Sequence, residues 1–341
     1  MAEILVQKFR GELLENIHRG DIAVSTTEKK VVAYCGDVDK DVYYRSAAKP
    51  LQVLPVITSG AADKYGFIDK EIALMAASHT GEKFHIEILK SILSKMDLSI
   101  EDLRCGTHPP FSRNARKYLR ENNLPITQAH NACSGKHSAQ LALAKFYGWN
   151  LDKYYKKEHY VQKMLLKTIS EAADYPAEKI YQGIDGCGVV VFGLPLKNIA
   201  YSYFLLENNK FMSEKYRKAA DRIVSVMKKY PAIIAGTNRF ETLLCRTISK
   251  DILVKSGADG VFALAFDDKG IAVKIEDGKL PAVYPVVIDI LKKYDVITDE
   301  ETDKLDKYYR PVIKDHNGRK VGYIKANFEL KVDSYRNKFN T

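Results

Sequence analysis

The chain has 341 residues, of which 46% are hydrophobic and 28% charged, and its formal net charge at neutral pH is +10. Its length allows a full hydrophobic core and either one large domain or two lobes, so we expect a globular protein. The lysines are interleaved with Asp and Glu and no recognition motif accompanies them, which excludes nucleic acid as the expected partner.

The sequence shows no feature of a secreted or membrane protein. The N-terminal segment lacks an apolar stretch behind a basic start, and no later segment is apolar over the length of a bilayer. We therefore expect a cytoplasmic protein with no membrane association. The five cysteines are an odd number without a C-x-x-C pair, which favours reduced thiols over a disulfide framework.

The chain opens with three segments of strand-like composition, residues 3–10, 22–27 and 31–35. A polar turn, Glu28-Lys29-Lys30, separates the last two. This pattern predicts antiparallel strands at the start of a sheet.

The next segment, Arg45 to Pro50, places a serine and a lysine three residues apart. A helix that begins near Ser46 would put both side chains on one face, as a nucleophile and a base. Lys49 can serve as a base only if burial or a second cation lowers its pKa. The alternative is a helix start that Ser46 merely caps.

Two polar clusters adjoin apolar helices in the following part. A predicted helix over 70–77 runs into Ser78 to Glu82, and His130 to Ser138 precedes a predicted helix over 139–147. The second cluster could bind an anion through backbone N–H groups at a helix N-terminus, or it could be a helix cap. For His137 a structural role is the alternative to ligand binding.

The middle of the chain, 151–173, is charged and rich in tyrosine, and we predict a surface helix there. Gly183 to Gly188 then forms a glycine-rich loop that presents Asp185 before an apolar segment, 189–192. Its glycine order is the reverse of the dinucleotide fingerprint, and no strand suited to that motif precedes it.

The remaining segments complete the predicted fold. They are a helix over 213–230, the motif Lys255 to Gly260, a hairpin of 261–266 and 271–275, a helix over 283–293 and a strand over 321–330. Strands at both chain ends and helices between them predict a mixed α/β (α+β) fold in one domain. Its antiparallel sheet would come from about 1–44 and 255–335, with a helical region over about 45–254.

The order of these pieces is similar to that of serine β-lactamases and penicillin-binding proteins, in which a late lysine approaches an early Ser-x-x-Lys pair. Seven motifs together resemble one family, the rhizobial-type, thermolabile L-asparaginases of the asparaginase II family. The motifs are RSAAKP (45–50), ASHTGE (77–82), CGTHPP (105–110), HNACSGKHS (130–138), GIDGCG (183–188), PAIIAGTNRFET (231–242) and KSGADG (255–260).

The resemblance implies a serine β-lactamase/glutaminase-like fold, a homodimer, and hydrolysis of L-asparagine to L-aspartate and ammonia. Residues at matching positions divide into serine–lysine couples (Ser46 with Lys49, Ser78 with Lys255), substrate-holding residues (Arg45, His137, Asp185) and a zinc site (Cys133, Lys136, Cys187). Which serine attacks stays open, and zinc is not expected to be essential for the chemical step.

Three alternatives accompany this interpretation. The enzyme could be a penicillin-recognising acyl transferase or β-lactamase, which the missing signal peptide disfavours. The chain could instead be a non-enzymatic amino-acid-binding protein. Cys133 and Cys187 could be two buried thiols without a metal.

Overall fold

The computed structural model describes residues 1–27 and 31–332. The predicted turn Glu28-Lys29-Lys30 and the last part of the predicted sheet region, 333–335, lie outside the described residues. In the described part of the chain, no helix combines the length and the apolar character that a membrane crossing requires.

The strands within the described residues are β1 (Glu3–Arg10), β2 (Leu13–Ser25), β3 (Val31–Cys35), β4 (Asp41–Tyr43), β5 (Tyr181–Ile184), β6 (Val190–Pro195), β7 (Leu253–Ser256), β8 (Val261–Phe266), β9 (Lys269–Ile275), β10 (Val312–Lys314), β11 (Lys320–Ala326) and β12 (Lys331–Val332).

The α-helices are α1 (Lys49–Thr58), α2 (Ala61–Lys64), α3 (Asp69–Met75), α4 (Lys83–Ser94), α5 (Arg113–Glu121), α6 (Ser134–Phe146), α7 (Tyr160–Ala173), α8 (Leu196–Glu207), α9 (Glu214–Lys229), α10 (Pro231–Ala235), α11 (Phe240–Thr247), α12 (Val283–Lys293), α13 (Asp299–Lys304) and α14 (Asp306–Tyr309). Short 3-10 helices include Arg45–Ala48 and Gln128–His130.

The chain divides into two compact units, and the first contains Met1–Ala47, Leu194–Glu207 and the described part of Leu243–Thr341. Its sheet has the strand order β10-β11-β1-β2-β9-β8-β7, and β3 pairs with both β2 and β12. Neighbouring strands run antiparallel. Strands from both ends of the chain therefore form one antiparallel sheet, which confirms the predicted mixed α/β class.

Helix α8 packs against β9, β2 and β8 in this unit. Gly270 permits the close approach, because a Cβ atom there would lie 2.1 Å from the carbonyl oxygen of Ala200 on α8. The predicted hairpin is confirmed as β8 and β9, and Asp267 in its turn adopts a positive φ of 48°. Aspartate tolerates this left-handed conformation better than most residues.

The second unit contains Ala48–Gly193 and Asn208–Thr242 and is mainly helical. Helix α1 is its centre and packs against α6, α7 and α9. Every side chain from Lys49 to Val56 is buried, so α1 meets solvent only at its C-terminal end. Burial of each large aliphatic side chain there, such as Leu51 or Leu54, stabilises the unit by roughly 1.5–3 kcal/mol.

Several predicted boundaries differ from the structure, and three of them concern the helices near the motifs. The segment at Ser46 is a 3-10 helix, and α1 starts only at Lys49, because Pro50 fits the first turn of an α-helix but not its interior. Helix α6 starts at Ser134 rather than at 139. The predicted surface helix over 151–173 is helical only from Tyr160, and the turn before it buries Tyr154 completely.

Candidate active site

The amine of Lys49 lies beside the hydroxyl of Ser78 in the second unit. Lys49 Nζ is 2.9 Å from Ser78 Oγ, 2.7 Å from the carbonyl oxygen of Ala77 and 3.2 Å from that of Ala132. A neutral amine has two N–H bonds and one lone pair. A neutral Lys49 amine that donates both N–H bonds to the two carbonyls would turn its lone pair toward Ser78, whereas the charged amine donates a hydrogen bond to Ser78 Oγ.

Burial of Lys49 favours this neutral amine. Only 1% of the residue is exposed. Burial lowers the pKa of Lys49, and the positive charge of Lys136 lowers it further, although Cys133, Cys187 and Asp185 act in the opposite direction. Lys136 is thus a second cation that acts on Lys49, whereas the sequence had led us to expect this role for the late lysine, Lys255.

A hydrogen-bond network fixes the loop that carries Ser78. The Ser78 N–H donates to the carbonyl oxygen of Ile234 at 2.8 Å. Farther along the loop, Glu82 Oε2 accepts hydrogen bonds from Thr80 Oγ1 at 2.8 Å and from the Thr237 N–H at 2.9 Å. Burial opposes ionisation of Glu82, but these hydrogen bonds outweigh it and lower the pKa of Glu82. The Glu82 carboxylate thus ties the loop after Ser78 to the loop before α11.

Two buried histidines support the same loop. His79 Nε2 lies 2.8 Å from Ser134 Oγ, and His79 Nδ1 accepts the Gly81 N–H at 3.1 Å. His85 stacks on His79 with 5.0 Å between ring centroids. Burial lowers the pKa of His79 well below its usual value and that of His85 to about 4, so both rings are neutral near pH 7.

Helix α6 approaches the end of α3 unusually closely. A Cβ atom at Gly135 would lie 2.0 Å from the carbonyl oxygen of Leu74, so the motif needs glycine at this position. This contact brings the first turn of α6, which carries Lys136 and His137, against the helix that leads into Ser78. The glycine between Ser134 and Lys136 thereby has a packing role.

Four residues form a cluster that we call the thiol cluster: Cys133, Lys136, Asp185 and Cys187. Lys136 Nζ is 3.1 Å from Cys187 Sγ and 3.4 Å from Asp185 Oδ2, and Cys187 Sγ is 3.8 Å from the same carboxylate oxygen. A tight turn presents Asp185, since its N–H donates to the Val189 carbonyl at 2.8 Å. The cluster joins residues that are distant in sequence.

The thiol cluster is held together by charge. A hydrogen bond from Cys187 and the cations Lys49 and Lys136 lower the pKa of Cys133 well below its usual value despite burial. The same contact with Cys133, together with burial, raises the pKa of Cys187. Burial acts to lower the pKa of Lys136, but Cys133, Cys187 and Asp185 outweigh it and raise that pKa. The Cys133 thiol therefore ionises more readily than the Cys187 thiol, and Lys136 keeps its proton more firmly than a lysine in water.

The thiol cluster contains donor types that zinc binds in proteins. The ligand atoms of Cys133, Asp185 and Cys187 all lie within 4.8 Å of one another. Two ligands of a tetrahedral zinc ion, each bound at about 2.0–2.3 Å, lie roughly 3.3–3.8 Å apart. Lys136 would have to lose its proton to bind beside the two sulfurs, whereas Asp185 offers an oxygen without this cost.

His137 is completely buried one residue after Lys136. Its Nδ1 lies 2.6 Å from Tyr154 Oη, and the two rings meet edge to face. Burial lowers the pKa of His137 well below its usual value, and the Lys136 cation lowers it further. The ring is therefore neutral near pH 7.

The other predicted site residues lie in the first unit. Arg45 has a positive φ of 50° and forms an ion pair with Asp259, which joins the RSAAKP and KSGADG motifs. Ser46 lies in the 3-10 helix that follows Tyr44. Lys255 is 1% exposed on β7, and its Nζ donates to the Ser256 carbonyl at 2.9 Å.

The structure thus brings Lys49 to Ser78 and gathers Cys133, Lys136, Asp185 and Cys187. Sequence reasoning did not assign roles to Glu82 or Tyr154. The signal for Glu82 was its place in the ASHTGE motif, whereas nothing in the sequence distinguishes Tyr154 from the neighbouring tyrosines.

A comparison with protein families finds one family model that matches nearly the whole chain. The family model described as L-asparaginase II matches residues 6–326. A comparison with curated proteins finds no match.

Solved structures give weak similarities. A Bacillus glutaminase in 4.3 M NaCl is 12% identical with a TM-score of 0.39, and the match covers 81% of this chain and 91% of that one. A putative beta-lactamase from Bacteroides dorei DSM 17855 is 10% identical with a TM-score of 0.44, over 80% and 93% of the two chains. A protein named Mglu in its glutamate form is 16% identical with a TM-score of 0.38, over 82% of this chain and 61% of that one.

Proposed function

Because the chain belongs to the L-asparaginase II family, we propose that it hydrolyses L-asparagine to L-aspartate and ammonia through a serine nucleophile with Lys49 as its base. Family membership makes it a hydrolase that acts on amides of small molecules. The observation that carries the mechanism is the contact between Lys49 Nζ and Ser78 Oγ, at a buried amine whose two other neighbours are carbonyl oxygens.

In the first step, Ser78 Oγ attacks the side-chain carboxamide carbon of asparagine. Its proton passes to the lone pair of Lys49 Nζ as the new C–O bond forms. The C–N bond then breaks, and Lys49 returns the proton to the departing amine, which leaves as ammonia. The product of this half-reaction is an acyl-enzyme with an ester to Ser78.

In the second step, water attacks the ester carbon and gives a proton to Lys49. The proton then moves to Ser78 Oγ as the ester bond breaks, which releases aspartate and restores both residues. One lysine thereby acts as base and acid in both half-reactions. The buried position of Lys49 supports this role, because an amine that stayed charged could not accept a proton.

Ser46, Lys255 and Arg45 enter the proposal on the family resemblance alone. Ser46 remains the alternative nucleophile, since it precedes Lys49 by three residues in the sequence. Asp185 and His137 are proposed to hold the substrate, with the Asp185 carboxylate binding the α-ammonium group. We also retain the expectation of a homodimer on the same ground, and that of a cytoplasmic protein from the sequence analysis.

We further propose that Cys133, Lys136 and Cys187 bind zinc, with the Asp185 oxygen close to them. The donor set and its spacing support this proposal. A bound zinc ion would supply positive charge that favours placement of the substrate. The serine and lysine already account for every proton transfer, so we do not assign zinc a part in the chemical step.

An ammonia-release assay with asparagine, glutamine and a chromogenic penicillin tests the function directly. We expect release from asparagine and no hydrolysis of the penicillin. Ser78→Ala and Ser46→Ala, each checked for folding, identify the nucleophile: the variant of the attacking serine loses activity by orders of magnitude. Penicillin hydrolysis without ammonia release would replace the proposal by a β-lactamase-like function.

A further inference from the structure

Tyr154 lies in the turn before α7 and is 0% exposed. Its Oη accepts the backbone N–H of Arg104 at 2.8 Å and lies 2.6 Å from His137 Nδ1. Among the described residues, the Tyr154 hydroxyl forms these two hydrogen bonds. Their directions determine where the proton of the His137 ring is.

A phenol carries one proton. Because Tyr154 Oη accepts the hydrogen of Arg104 N–H, its own proton needs an acceptor, and His137 Nδ1 is the atom in reach. Burial raises the pKa of Tyr154, so the phenol keeps this proton. An Nδ1 that accepts a hydrogen bond cannot itself be protonated. A neutral His137 ring must then carry its hydrogen on Nε2.

The Nε2 atom of His137 is buried and has no hydrogen-bond partner among the described residues. The main chain of Cys187 also acts on this ring and raises the pKa of His137, against the larger effect of burial. A buried N–H group without an acceptor is costly, so the Nε2 hydrogen needs an acceptor from outside the described residues, such as a water molecule or a ligand oxygen. The His137 ring is therefore a neighbour of Cys187, which belongs to the thiol cluster.

The position of Tyr154 is itself fixed. Gln162 Nε2 donates to the Tyr154 carbonyl oxygen at 2.8 Å and to Gln140 Oε1 at 2.8 Å, and both glutamines are buried. The Arg104 N–H holds the other end of Tyr154, because it donates to the hydroxyl oxygen. The hydroxyl therefore meets His137 Nδ1 from a defined direction.

We propose that Tyr154 is a positioning residue that holds His137 in the Nε2–H tautomer, so that Nε2 donates a hydrogen bond to a carboxylate oxygen of the bound amino acid. The substrate part of this proposal rests on the proposed function, whereas the tautomer can be measured without turnover. An imidazole held the other way would present a lone pair to the carboxylate and would repel it.

The first experiment is ¹⁵N NMR of the full chain at neutral pH, with the His137 signals assigned from a His137→Gln variant. We expect an unprotonated Nδ1 and a protonated Nε2 in the wild type. Addition of L-aspartate, the carboxylate product, should shift the Nε2 signal. A proton on Nδ1 in the wild type would overturn the proposal without any other measurement.

The second experiment compares Tyr154→Phe with Tyr155→Phe, which removes the hydroxyl of the adjacent tyrosine. We expect Tyr154→Phe to populate both tautomers of His137 and to raise KM for asparagine about tenfold, with a smaller change in kcat. Tyr155→Phe should change neither. An unchanged KM and an unchanged tautomer in folded Tyr154→Phe would refute the positioning role.

The two proposals fail in different ways. A protein with the Nε2–H tautomer and an aspartate-dependent shift, but without asparagine hydrolysis, would refute the proposed reaction and retain the role of Tyr154. Asparagine hydrolysis with no Nε2 shift on aspartate binding would retain the reaction and refute the contact to the carboxylate. If Tyr154→Phe does not fold, the wild-type NMR measurements still test the tautomer of His137 and the contact of Nε2 with the carboxylate.

Discussion

Replacement of Lys49 by methionine should remove catalysis and leave the protein folded. Methionine has a similar unbranched shape, so its side chain can occupy the buried space of the Lys49 side chain. It cannot accept a proton. Loss of a general base typically costs about 10²–10⁴-fold in rate. This corresponds to roughly 2.7–5.5 kcal/mol in the activation free energy.

The effect on folding can be considered separately. Lys49→Met leaves the carbonyl oxygens of Ala77 and Ala132 without this donor. Each lost hydrogen bond costs about 1 kcal/mol, and the more favourable burial of an apolar side chain offsets part of this. We therefore expect Tm to fall by a few degrees, as measured by circular dichroism.

The pH dependence gives an independent check. Burial lowers the pKa of Lys49 in the folded state below its ordinary value of 10.5. Between the two values the unfolded chain binds the extra proton, so the contribution of Lys49 to stability rises with pH and is lost as pH falls through the folded pKa. The wild-type kcat/KM should rise with pH through the folded pKa, whereas Lys49→Met should lack both dependences.

The assay is ammonia release at saturating asparagine, with Ser78→Ala measured alongside. Because both residues serve one proton transfer, the double variant should be no slower than the single variants. Folded Lys49→Met with turnover within tenfold of wild type would refute Lys49 as the base.

Three further predictions concern specificity, metal and packing. The kcat/KM for asparagine should exceed that for glutamine about a hundredfold. Asp185 is proposed to fix the α-ammonium group, so the extra methylene of glutamine displaces its carboxamide from the serine. Equal kcat/KM values for the two amides would refute this geometry. Chelation should raise KM without abolishing kcat, with zinc followed by elemental analysis, and a complete, zinc-restorable loss of kcat would indicate a metallohydrolase instead. Gly135→Ala should lower the free energy of unfolding by about 1–3 kcal/mol, because its Cβ would meet the Leu74 carbonyl. Gly186→Ala, whose Cβ meets nothing within 4 Å, is the control in denaturant unfolding, and equal stability of the two variants would contradict the packing argument.

The sequence was sufficient for the fold class because local patterns specify it. Alternating segments and turn residues identified the hairpin of β8 and β9, and motif order identified the family. Helix starts were less predictable. The start of α6 at Ser134 depends on the contact of Gly135 with Leu74, a residue about sixty positions away, and no local pattern contains that information.

The candidate site was predictable to the level of residue identity but not of pairing. Lys49 and Ser78 were both named from motifs, yet their contact depends on the way α1 and the loop after α3 meet. Tyr154 was outside the prediction because a buried tyrosine and an exposed one look alike in a tyrosine-rich segment. Its role follows only from the direction of two hydrogen bonds.

The close approach of α6 to α3 at Gly135 limits how the protein can be engineered. The two helices have no space for even a methyl group at this point, so a side chain at position 135 would push them apart. Lys136 follows Gly135 directly, and Ser78 follows α3 by three residues. Substitutions that widen this helix pair in search of thermal stability should therefore alter substrate affinity as well, whereas substitutions on the exposed side of α5 leave this pair unchanged.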